Sequence, residues 1–161
     1  MNKAESKLMQ EIKRLHLARY DLPTDSEAVS LAHSDLLSAP DYLHSAGDKP
    51  CKMHATDVLH LAAIHSPKLI NEIIIRDCIG AFGACNDASK INTIRIMSAL
   101  RRRDAVKFLE EVRDDKTRPN AVTVKKENGK HVFAAYRDDS QPDLVADEAR
   151  KALERINNIA V

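Results

Sequence analysis

The chain has 161 residues, 43% of them hydrophobic, with four glycines, three cysteines and no tryptophan, enough for one domain with a real core. So little glycine argues against a loop-rich β-sandwich, and no apolar run reaches the roughly 18 residues of a membrane span. The odd cysteine count does not suggest a disulfide framework, and the polar start Met1-Asn-Lys-Ala-Glu-Ser-Lys7 lacks the apolar segment of a secretory signal; the expectation is a cytoplasmic protein.

The formal charge of +1 hides an uneven distribution. Residues 90–137 hold thirteen Lys and Arg against six Asp and Glu, a net of +7, while both flanks are acidic.

In chain order, residues 3–20 predict an amphipathic helix, with Ala4, Leu8, Ile12 and Leu15 at helical spacing and Lys7 one turn from Glu11. Asp21-Leu-Pro23 ends it. Thr24-Asp-Ser-Glu27 is a capping-box pattern opening a second helix to about Ser38, which buries Val29, Ala32, Leu36 and Leu37. Residues 38–52, containing His44, read as a turn-rich connector. The expected division is an N-terminal helical pair over 1–45, packing on the core or on a second copy, and a helical core over 50–161.

Ala55 to His65 predicts a short helix with Val58, Leu59, Ala62 and Ala63 inward. Ser66-Pro67 then gives an N-cap followed by proline at the first helical position. The helix from there to about Ile79 is the most apolar of the chain, with Leu69, Ile70, Ile73, Ile74, Ile75 and Cys78 as a broad face, so it is expected at the centre or buried on two sides. Asp87 or Ser89 is expected to cap the next helix. One straight helix over 89–114 would put Arg101 and Arg102 on the apolar stripe of Ile91, Ile94, Ala105, Leu109 and Val112, and burying unpaired guanidiniums is costly. The sequence therefore predicts two helices broken near Arg103-Asp104, with Asp104 as cap and Phe108 inward. In the first, Ile94, Met97 and Leu100 face the core, and Arg95, Ser98 and Arg102 line the other side.

Asn128-Gly129 between alternating runs predicts a β-hairpin over 121–137 with a two-residue type I′ turn. Its register pairs Val122 with Ala135, Val124 with Phe133 and Lys126 with His131, one apolar face with a polar tip. The reverse face carries Thr123, Lys125, Lys130, Val132 and Tyr136. Gln141-Pro-Asp143 opens a C-terminal helix over 142–158 that buries Val145, Ala149, Ala152, Leu153 and Ile156. The fold class is mainly α with one β-hairpin, and by analogy of layout the C-terminal half is helix-turn-helix or winged-helix-like.

Little of the sequence carries recognisable chemistry. Cys51, His54, His60, His65, Cys78 and Cys85 lack the paired spacing of a structural metal site, so neither metal nor cofactor is expected. Asp57 and His60 lie one helical turn apart, but no nucleophile motif or glycine-rich phosphate loop accompanies them, so the chain is not expected to be an enzyme. The basic middle is the remaining signal, because phosphate backbones demand several cations on one surface. The candidate nucleic-acid-binding residues are Lys90, Arg95, Ser98, Arg101, Arg102, Arg103, Lys125, Lys126 and Lys130. The expected function is a DNA-binding regulatory protein, with duplex DNA favoured over RNA and a homodimer as the possible assembly. The alternative is a helical adaptor or inhibitor that binds an acidic protein and no nucleic acid.

Overall fold

A computed structural model describes residues 4–41 and 48–158; His44 and the middle of the predicted connector, 42–47, lie outside them. Seven α-helices and one antiparallel hairpin make up the described chain, and no described helix is long and apolar enough to cross a membrane.

Helix α1 (Lys7–Arg14) starts where the Ser6 hydroxyl accepts the Met9 N–H at 3.0 Å, and buries Leu8, Met9 and Ile12. It stops short of the predicted 3–20 span. His16 takes a left-handed φ of 56°, which turns the chain so that Leu15 is exposed and Leu17 and Tyr20 go inward instead. Ala4, expected inward, is exposed. The predicted Lys7–Glu11 pair forms, at 3.7 Å. Helix α2 (Asp25–Ser38) is capped by Thr24, whose hydroxyl accepts the Glu27 N–H at 3.1 Å, and it buries Ala28, Val29, Ala32 and Leu36. Leu37 points out, 55% exposed.

Helix α3 (Lys52–His65) packs against α1 and α2, so the N-terminal pair joins the core of its own chain. Proline at residue 67 does open a turn, but a short 3₁₀ one over Pro67–Leu69. Helix α4 (Glu72–Ala81) starts later, where the Asn71 side chain accepts the Ile74 N–H at 2.9 Å. It buries Ile74, Ile75 and Cys78 while Ile73 is 53% exposed, so α4 is a one-sided helix and not the central one.

The central position belongs to α5 (Asp87–Ala99), packed between α3 and α7. Its cap is Asn86, not Asp87 or Ser89. Asp41 accepts hydrogen bonds there from the Asn86 N–H and the Ser89 hydroxyl. The helix buries Ile94, Ile96 and Met97 together with Ser89, Asn92 and Thr93, and those polar groups are tied: Asn92 donates to Thr56 at 3.1 Å and to Asp57 at 2.8 Å.

The break predicted between α5 and α6 (Val106–Asp114) is present. Arg101 has a φ of 50°, and the Arg101 and Arg102 N–H groups donate back to Ser98 and Met97 carbonyls at 3.1 Å each. This is a Schellman ending with arginine where glycine is usual. Asp104 does not cap α6; its carboxylate binds Arg102. Ala105, Leu109 and Val112 are buried, and Phe108 packs edge-on to Phe82 with ring centroids 5.1 Å apart. Helix α7 (Leu144–Asn157), capped by Asp143, buries the five predicted residues and Ala146.

Strands β1 (Ala121–Glu127) and β2 (Lys130–Tyr136) pair in the predicted register, including Val122 with Ala135 and Val124 with Phe133. The turn residues Asn128 and Gly129 have φ of 49° and 76°, as a type I′ turn requires.

Candidate nucleic-acid interface

The hairpin stands out from the helices with both faces in solvent; only Ala121 is half-buried. It is secured at its root. Asn120 donates its side-chain N–H to the Asp138 carbonyl at 2.8 Å and accepts the Asp138 N–H at 2.7 Å. Asp143 caps α7 by accepting the Ala146 N–H at 3.0 Å, and also receives Arg137 at 2.6 Å and Arg118 at 3.2 Å. Burial pushes the Asp143 carboxyl up, but that N–H and the two guanidiniums outweigh it and leave the group below the usual carboxylate range. One carboxylate therefore fixes both the start of α7 and the base of the ribbon.

Lys125 and Lys130 share one hairpin face, while Lys126 lies on the other beside His131. All three lysines are exposed, with no carboxylate within 4 Å among the described residues. The apolar residues between them are exposed too: Val122, Val124 and Phe133 on the Lys126 side, Val132 and Tyr136 on the other.

The helical half of the candidate site is arranged differently from the expectation. Arg95, 48% exposed at its side chain, donates to Glu148 of α7 at 2.8 Å. Arg102 does not extend the face of α5; it follows the turn and is held by Glu72 at 2.6 and 2.7 Å and by Asp104 at 2.9 and 2.6 Å. Those four hydrogen bonds raise the Arg102 pKa, Glu72 contributing most, and Arg102 in turn lowers that of Glu72. Lys90 donates to the Cys85 carbonyl at 2.8 Å with its ammonium 5.5 Å from the Phe82 ring centroid. Ser98 is half-buried. Arg101 and Arg103 are exposed and, among the described residues, have no carboxylate within 4 Å. Lys107 shares this property on the outward side of α6, opposite Leu109 and Val112. The sequence held a signal for Lys107, since the α6 apolar spacing already points it outward.

Asp57 and His60 are not hydrogen-bonded to each other. The Asp57 carboxylate is engaged by Asn92, and burial raises its pKa despite that bond. Burial, reinforced by Arg95, lowers that of His60. Burial likewise pushes the Cys78 thiol up to about 12. Among the described residues no three His, Cys, Asp or Glu side chains converge to hold a metal ion.

Comparison with protein-family models, curated proteins and solved structures finds no significant match to this chain.

Proposed function

We propose that the chain binds nucleic acid, duplex DNA first, with the hairpin as the contacting arm and the α5–α6 turn as a second cationic contact. One observation carries this reading: the cations of the basic middle divide by partner. Arg95, Arg102, Arg113, Arg118 and Arg137 each meet a carboxylate. The exposed residues Arg101, Arg103, Lys107, Lys116, Lys125, Lys126 and Lys130 have none within 4 Å among the described residues. Neutralised guanidiniums offer a polyanion little, whereas unpaired cations release counterions when phosphates replace them. The burial of α5 between α3 and α7 moves the proposed contact away from a reading helix, so a winged-helix-like mode rests on the ribbon. Two-stranded ribbons are an established way to enter a DNA groove.

The test is fluorescence anisotropy with labelled duplex DNA and single-stranded RNA at two salt concentrations. Lys125→Ala with Lys126→Ala and Lys130→Ala lowers the salt slope by up to about 3 units if each lysine meets one phosphate. Arg95→Ala leaves it unchanged. Equal binding by the triple variant and the parent overturns the site.

The exposed apolar residues favour a second reading, a regulatory adaptor that docks a protein on the hairpin. Phe133 is 69% exposed, and a ribbon that met only phosphate would not need it. No binding to any nucleic acid at low salt, with a stable protein complex abolished by Phe133→Ala, would select the adaptor.

A further inference from the structure

Two strands alone are marginal in water, and a third strand or a packed layer ordinarily stabilises them. The two open edges of this ribbon differ. The outer half of β1 carries Lys125, Lys126 and Glu127, the kind of charge that keeps an edge from pairing. From Val132 to Tyr136 the edge of β2 has no charge. Among the described residues, the only backbone hydrogen bond to β2 from outside the hairpin is from Asn120 to the Tyr136 carbonyl. Bonded and non-bonded pairs alternate outward from a two-residue turn, which directs the main-chain groups of His131, Phe133 and Ala135 away from β1.

We propose that a second copy of the chain pairs antiparallel along β2, with its dyad at Phe133, giving one four-stranded sheet in the order β1-β2-β2-β1. Charge complementarity selects a copy over an unrelated strand. The ribbon is cationic near its tip, at Lys125, Lys126 and Lys130; just past its root Asp139 is paired with Arg137 at 3.2 Å, whereas Asp138 meets no cation within 4 Å among the described residues. A dyad at Phe133 sets Lys130 opposite the partner's Tyr136 and diagonal to the partner's Asp138, at the roughly 7–8 Å of diagonal neighbours. A parallel arrangement would instead stack the lysine tips together. The pairing consumes neither face of the sheet, so it stands whether or not the ribbon meets nucleic acid.

Sedimentation equilibrium without nucleic acid, from micromolar to sub-millimolar protein, tests the assembly. The expected result is a mass approaching twice 18.0 kDa, with association weakened at least about tenfold in Phe133→Pro, a substitution that removes an N–H directed away from β1. Phe133→Cys should form a disulfide-linked dimer on mild oxidation, since bonded antiparallel neighbours have Cα atoms about 5.5 Å apart, within disulfide reach. Val124→Cys, on the same face but on β1, should not. A monomer at every concentration overturns the proposal, as does cross-linking of Val124→Cys as readily as Phe133→Cys.

Discussion

Arg137 donates to the Asp143 carboxylate at 2.6 Å, and the same carboxylate caps α7. Asp143→Ala removes the cap and leaves Arg118 and Arg137 without that anion at 13% and 19% side-chain exposure. The expected cost is about 1–3 kcal/mol by urea unfolding, with faster amide exchange in the hairpin. Asp143→Asn keeps a capping acceptor and should cost less than Asp143→Ala. Because the folded-state pKa of Asp143 lies below its ordinary value, its contribution is present above about pH 4 and is lost as pH falls through the folded value. Thermal unfolding of Asp143→Asn should therefore be less acid-sensitive than that of the parent.

Two helices end in Schellman turns with a side chain in the left-handed position, His16 at φ 56° and Arg101 at φ 50°. Glycine avoids the Cβ clash of that conformation. His16→Gly and Arg101→Gly should each stabilise by about 0.5–1 kcal/mol in chemical denaturation. Only Arg101→Gly should also weaken DNA binding in the anisotropy assay.

Asn92 joins α5 to α3 through Thr56 and Asp57. Asn92→Ala leaves the half-buried Asp57 carboxylate without that donor and should cost about 1–3 kcal/mol, read from the urea midpoint. Asp57→Asn should instead raise the melting temperature at pH 7. The folded-state pKa of Asp57 is raised by burial, so its favourable contribution belongs to low pH and is lost as pH climbs from about 4 through the folded value. The gain in Asp57→Asn should shrink in acid.

Cys78 is fully buried with its thiol shifted up to about 12, and the thiolate is the reactive form. Ellman's reagent at pH 8 should modify Cys78 at the rate of unfolding, roughly a hundredfold or more below a free thiol. Peptide mapping after timed quenching would check this.

Local signals were legible in the sequence and spatial partnerships were not. Asn128-Gly129 sets the hairpin register because pairing follows from a two-residue loop and the period of two. The cost of burying Arg101 and Arg102 located the α5–α6 break. Ser66-Pro67 misled because a good start signal opened only one 3₁₀ turn, and Asn71 supplied a side-chain cap five residues on. The centrality of α5 was hidden by Ser89, Asn92 and Thr93, which look exposed until their partners are known. Arg95 and Glu148 are 53 residues apart and Arg102 and Glu72 are 30 apart, and no periodicity reports such pairs. Sequence charge therefore counted as available several cations that the fold had already matched.

The clasp between Asn120 and Asp138 makes the ribbon modular. The chain leaves the bundle and returns to it at one place, with 2.7 and 2.8 Å contacts closing the gap. The helices are then nearly indifferent to the length of the ribbon from Ala121 to Tyr136, since lengthening a closed loop costs little. Substitutions in the exposed ribbon leave the bundle, packed through Leu59, Ile94 and Met97, undisturbed. Ribbon and bundle can therefore be altered separately.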